Sequence, residues 1–425
     1  MADSQPQEPN RPDRSAAAAD GGALLLCGAR LADGRTVDVR VAEGQIQAVS
    51  TAGSLIPTGT RPAGARIDLT GYLLLPAPAE PHAHLVTAFT GDRQGPPGDE
   101  GPEVQRRATE AALLQLGHGA TAARSHVRIG DVNGLTPLEA VLSARRSLHG
   151  LAELGTVAVP RLLTGTAGTG QLAMLRDALK MGADVIGGCP DLDPDPCGYT
   201  EAVLDLAAEH GCAVDLHTEA DDAGRISRLA AMAGGLRQGV VLGPCGGLNR
   251  LPQDAAHRAA DQLAAAGVGV VALPQGGCRL MGRRTPERTA PVRLLSAAGV
   301  HVTAGSGALR DAVNPVGRGD PLEAAYLLAS LGEATPEEAY AMISTGARTA
   351  LGLPEVRVEA GFPAELLAVR GQSVAGVLSL AYSRIVLHRG RVVTRTSAVR
   401  EFCDVGAPDS RPSGAGLGLP RQSQG

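Results

Sequence analysis

The stretch GYLLLPAPAEPHAHL, residues 71–85, decides the fold. An apolar run opens it and two histidines close it. His82 and His84 are two residues apart, so an extended backbone sends both side chains to the same side. Two imidazoles converging at a strand end can chelate one divalent ion. A parallel barrel presents its chemistry in this way, from polar residues at the C-terminal ends of its strands.

Seven further apolar runs follow: ATAARSHV (120–127), TVAVPRLLT (156–164), ADVIGG (183–188), CAVDLHTE (212–219), GVVLGP (239–244), VGVVALP (268–274) and GVHVTAGS (299–306). With YLLLPAPAE (72–80) they make eight. Ala/Leu-rich helical patterns separate most of them, among them 102–117, 198–211, 223–236 and 252–267. Eight β/α units predict an α/β chain folded as a (β/α)8 TIM barrel. The competing fold is an open doubly wound sheet. Against it, no glycine-rich phosphate loop follows the first strand. GTAGTG (165–170) lacks an acidic ribose ligand at the expected distance.

On either side of the barrel lie short strand-like runs. TVDVRVAEG and QIQAVS precede it; ELLAVRG, SRIVLHRG and RVVTRT follow it. Neither set is large enough for a core of its own. The reading is a small β-sandwich domain built from N- and C-terminal segments, residues 21–71 and 353–402, around a barrel over 72–352. Residues 1–20 and 403–425, rich in Pro, Gly, Ser and charge, read as disordered tails.

Composition removes several function classes. The formal net charge is −5 and aromatic residues are 2%, so neither a basic nucleic-acid surface nor a base-stacking platform is expected. No apolar run reaches membrane-spanning length. Seven scattered cysteines form no zinc knuckle or CxxC, and no signal peptide is evident, which fits a reducing cytoplasm. Lys180 is the only lysine among 39 basic residues and sits in a helical pattern. Schiff-base and carbamylated-lysine chemistry therefore have no strand-end lysine to use, which leaves an aldolase-type barrel without support.

The fifth run ends in AVDLHTEADD, where Asp215, His217 and Glu219 alternate and so share a face. His217 can be a third nitrogen ligand, and Glu219 can move a proton between water and a leaving nitrogen. Asp221 and Asp222 can cap the next helix. The second run ends in SHVRIGD, with His126 inside or near the rim and Arg124, Arg128 and Asp131 available for a rim ion pair. Arg279, after the seventh run, and Arg310 are candidates for binding an anionic substituent.

The combination and order of these segments resemble the amidohydrolase superfamily, in particular its cytosine-deaminase-like branch. GYLLLPAPAEPHAHL, SHVRIGD, VDLHTEADD, LPQGGCRLMGRR, AGSGALRDAVNPVG and ISTGARTALGL carry the resemblance, which spans about residues 23–400. It implies a hydrolase of non-peptide C–N bonds, a deaminase or cyclic amidase acting on a small heterocycle. It implies a mononuclear divalent ion, Zn or Fe, held by His82, His84 and His217, with Glu219 as the proton shuttle; the strand-end reading adds His126 as a substrate-binding candidate. No nucleic acid or membrane partner follows from it, and a homo-oligomer is compatible with it.

Two positions depart from the family pattern. Pro244 stands where the sixth strand should end in histidine, and Gly307 where the eighth should end in aspartate. Cys245 and Asp311 are the nearest substitute ligands or bases. These departures predict a degenerate metal site with activity in doubt. The alternative they raise is a catalytically inactive pseudoenzyme that binds a small molecule or a partner.

Overall fold

The computed structural model describes residues 23–55, 64–92, 98, 100–130, 133–276, 289–380 and 382–399. The two terminal tails lie outside these residues. Five strands lead into the barrel: β1 (Leu24–Arg30), β2 (Thr36–Ala42), β3 (Gln45–Thr51), β4 (Ala65–Asp68) and β5 (Tyr72–Pro76). The barrel strands are β6 (Ala79–Ala83), β7 (Ala122–Ile129), β8 (Glu153–Pro160), β9 (Val185–Gly188), β10 (Ala213–Thr218), β11 (Val240–Pro244), β12 (Gly269–Ala272) and β13 (Val302–Ala304). Three strands close the chain: β14 (Leu366–Arg370), β15 (Arg384–His388) and β16 (Arg391–Thr396).

β6 to β13 run parallel, each beside its sequence neighbour. A parallel bridge between Ala83 and Gly307 brings the eighth strand's exit against the first, so the barrel is nearly closed. Gly307 has φ 67°, a backbone that side chains with a Cβ adopt at a cost. Helices occupy the connections, and their apolar stripes pack on the outward-facing strand residues in one large core. Inside the barrel, Val157, Val159, Val185 and Val271 form a separate cluster. Among the described residues, no helix is long and apolar enough to cross a membrane.

The other strands make one mixed sheet in the order β16-β15-β14-β5-β1-β2-β3, with β4 also on β1. Its seam is the antiparallel β5–β14 pair, which joins the chain's two ends. Alternation explains the buried face: Val37, Val39 and Val41 point inward and Arg40 outward. Asp38, buried on the same strand, accepts the N–H groups of Gly28 and Gly53.

The run 72–80, read as one barrel strand, is two strands in different sheets. Pro76 and Pro78 supply no N–H to a ladder, and the chain crosses from β5 to β6 between them. A buried ion pair also fastens the sheet to the barrel. Arg384 on β15 donates two hydrogen bonds to Asp320, at 2.9 and 2.6 Å, and Asp320 caps the helix Pro321–Ser330. Lys180 is exposed and pairs with Asp177 on its own helix, 3.1 Å away.

Candidate metal centre

Strand register brings the site residues together. His126 is opposite Val157, one of the residues of the inner cluster, so its ring points into the barrel. On β10, Asp215 lies opposite Gly187 and His217 opposite Gly243. Those glycines leave the interior space that the larger side chains fill. A Cβ on Gly243 would lie 3.6 Å from the His82 ring and 3.0 Å from the Val271 carbonyl oxygen. His82 rises from β6, and His84 follows that strand.

The result is a cluster of four imidazoles. Ring centroids of His82 lie 4.1 Å from His126, 4.4 Å from His217 and 5.2 Å from His84. His126 and His217 are 4.5 Å apart. Asp215 joins them, with Oδ1 3.2 Å from His126 Nε2 and Oδ2 3.5 Å from Arg124 Nη1. His82, His126, Asp215 and His217 are buried to 3% exposure or less.

Burial and the neighbouring imidazoles of His126, His217 and His84 push His82 well below the usual histidine range. Burial, His126 and His84 do the same to His217. Both rings are therefore neutral, the form that binds metal. Both ring nitrogens of His82 and of His126, and Oδ1 of Asp215, are buried without a hydrogen bond. Such groups are costly to bury unless something coordinates them. Two overlapping groups have ligand atoms within 4.8 Å of one another: His82, His84 and His217, and His82, His126 and Asp215. Imidazole and carboxylate are zinc- and iron-type donors, so the residues fit a divalent ion.

This geometry corrects the expectation of a degenerate site. Both ligand groups are intact, and neither draws on Pro244 or Gly307. The doubt about activity and the pseudoenzyme alternative, which rested on those two positions, fall with it. The physical reason is convergence across strands. The second strand supplies His126 and the fifth supplies Asp215, at interior positions that a scan of the sixth and eighth strand ends does not inspect. Pro244 ends β11 beside Thr218, and Gly307 serves the barrel closure.

The other candidate residues separate. Glu219 is nearly buried just beyond β10, with Arg250 Nη2 3.8 Å from its carboxylate. Cys245 lies in the apolar core outside both ligand groups, and burial pushes its thiol up, with Glu219 and Asp191 adding to the shift. Asp311 is buried but occupied. It accepts the N–H groups of Val313 and Asn314 at 2.8 and 3.1 Å and the Thr87 hydroxyl at 3.1 Å. Arg310 is exposed, 3.5 Å from Asp92, with its guanidinium over the Phe89 ring. Arg279 and Asp131 lie outside the described residues. Asp222 caps the helix Ala223–Ala233 as expected.

Two supporting residues escaped the sequence reading. Asp191, in the turn after β9, accepts the Glu219 N–H at 2.8 Å and the Thr218 hydroxyl at 3.1 Å. Glu80 accepts the His82 N–H at 3.1 Å and the Ser306 N–H at 2.8 Å, and so ties the first strand to the eighth. Burial raises the Glu80 carboxyl to about 7 despite the Ser306 and His82 hydrogen bonds. The signal for Glu80 was its spacing of two from His82; for Asp191 only the fold reveals it.

A sequence model described as the amidohydrolase family matches residues 100–394. The chain belongs to that family. This amidohydrolase is 26% identical to a pterin deaminase of Rhizobium rhizogenes (strain K84 / ATCC BAA-868), over 84% of this chain and 88% of the relative. It is 25% identical to an N-isopropylammelide isopropyl amidohydrolase of Pseudomonas sp. (strain ADP), over 78% and 89% of the two chains. Among solved structures, the N-isopropylammelide isopropylaminohydrolase of Burkholderia multivorans superposes with a TM-score of 0.78 at 24% identity, covering 89% of this amidohydrolase and all (100%) of that chain. The 5-methylcytosine deaminase of Klebsiella pneumoniae gives 0.77 at 20% identity, covering 89% and 99%. Both structures support the fold.

Proposed function

We propose that this amidohydrolase hydrolyses a non-peptide C–N bond on a small planar nitrogen heterocycle, releasing ammonia or an alkylamine. The observation that carries the reading is the buried histidine cluster of His82, His84, His126 and His217 with Asp215, at the barrel end from which Glu219 also emerges. Its likeness to the pterin and N-isopropylammelide hydrolases favours a ring with an exocyclic nitrogen as substrate.

His82, His84 and His217 would hold a zinc or iron ion. When bound, such an ion supplies Lewis acidity and lowers the pKa of water. Glu219 accepts a proton from the attacking water and delivers it to the leaving nitrogen. The water oxygen bonds to the ring carbon, the C–N bond breaks, and the amine departs. Asp191 keeps Glu219 in place through its backbone N–H.

The test is amine release by the zinc- or iron-loaded protein from aminopyrimidines, amino- and alkylamino-triazines and pterins, with Glu219→Gln as control. Release that depends on added metal and on Glu219 supports the reading. No release from any of the three ring classes overturns it.

A further inference from the structure

We infer that a cleft at the end of the barrel where the strands begin binds a small oxyanion, the phosphate or carboxylate group of a metabolite, on the guanidinium of Arg124. The cleft has a volume of about 340 Å³. It lies where β7, β8 and β9 start, and Arg389, in the turn between β15 and β16, forms part of its wall. The proposed reaction makes no use of this end of the barrel.

The argument begins with charge. Three arginines line the cleft, Arg124, Arg145 and Arg389, and two carboxylates, Glu153 and Asp184. Arg145 pairs with Asp184 and Arg389 with Glu153. Arg124 is left in excess. Its counter-ion is Asp215, inside the barrel, which Nη1 meets at 3.5 Å and which also faces His126 at 3.2 Å. Among the described residues, that long contact is the only hydrogen bond of the Arg124 guanidinium. The residue is nevertheless 6% exposed. A charge this deeply buried is costly when its donors go unmet.

Geometry says what would meet them. With Nη1 turned to Asp215, the Nε–Nη2 edge of the guanidinium is without a partner. That edge offers two parallel N–H groups, the arrangement that grips a carboxylate or phosphate by two hydrogen bonds. Gly155 stands opposite Arg124 in the β7–β8 register and adds no side chain, which leaves the neighbouring space to the cleft. A Cβ on Gly155 would meet nothing closer than 3.7 Å. His149, exposed on the rim, is a further donor for the same anion. Because one guanidinium faces both the cleft and Asp215, an anion seated there shares its counter-ion with the histidine cluster above.

The experiment titrates the full-length protein, metal-free and zinc-loaded, with inorganic phosphate and with malonate by calorimetry; the tighter of the two names the class. Binding by the metal-free chain is expected. Arg124→Gln should weaken it about tenfold or more. His149→Glu, a surface change that keeps the protein folded if Arg124→Gln does not, should weaken it about threefold. Crystals grown with arsenate give a readout that needs no variant: arsenic beside Arg124 in the cleft supports the site, and arsenic only elsewhere overturns it. No binding of either anion at millimolar concentration overturns it. Binding that requires zinc places the anion on the metal and overturns it too, as does binding undiminished in both variants. Amine release plays no part in these readouts, so this inference and the proposed function can fail separately.

Discussion

The Asp191 carboxylate from the fourth strand's exit turn grips the Glu219 N–H of the fifth at 2.8 Å. The same carboxylate takes a 3.2 Å hydrogen bond from Arg225. Burial raises its pKa, against the opposing pull of the Glu219 N–H and Arg225. Misplacing a catalytic group by about 1 Å can cost about 10²-fold. Asp191→Ala should therefore lower kcat by roughly 10- to 100-fold, with KM and zinc content little changed. Steady-state kinetics on an active substrate, with metal analysis of the same sample, checks this.

Glu219 itself carries the proton step. Glu219→Gln keeps the shape and removes the base, so kcat should fall by about 10²–10⁴. Zinc stoichiometry should stay at the wild-type level, because Glu219 belongs to neither ligand group. A parallel loss of metal would move Glu219 from proton transfer to coordination.

The Arg384–Asp320 pair predicts a stability effect remote from the chemistry. Its side chains are 6% and 11% exposed, and Asp320 also caps a helix. Asp320→Ala strips a buried guanidinium of its carboxylate and a helix of its cap. A loss of about 3 kcal/mol is expected, read as a lower urea midpoint for the step in which the small sheet separates. Surface pairs such as Lys180–Asp177 should contribute below about 1 kcal/mol.

Glu365 predicts an acid-sensitive seam between sheet and barrel. Burial opposes ionisation of its carboxyl, but the 2.9 Å contact to His388 Nδ1 and the Arg389 N–H outweigh it and hold the pKa below the usual 4.5. A depressed folded value stabilises the fold above pH 4.5, and that contribution disappears as the pH falls through the folded value. Melting temperature should fall below pH 4.5, and the fall should be shallower in Glu365→Gln. An identical acid profile for the variant would remove Glu365 from the linkage.

The barrel was legible because its eight apolar runs keep strand length and alternate with helical patterns. His82, His84 and His217 were legible because period-two spacing at a strand end is a local signal. His126 showed its position but not its company. Its meaning depends on register: opposite Val157 its ring turns inward, and only then does it meet Asp215. Reading strand ends one at a time gave Pro244 and Gly307 too much weight, because coordination is a property of the assembled interior. The Pro76–Pro78 break was visible as letters, yet the switch of sheets there is set by β14, from the far end of the chain.

That seam constrains how a ribosome can deliver this protein. Leu73 pairs with Val369 across about 300 residues of chain, a separation that raises loop-closure entropy only slowly but delays the contact in time. Every barrel strand leaves the ribosome before β14 does, so the apolar edge of β5 must wait without its partner while the barrel assembles. A truncated transcript ending after the barrel's last helix but before β14 would therefore carry every barrel strand and its histidines, with a sticky, half-built platform beside them.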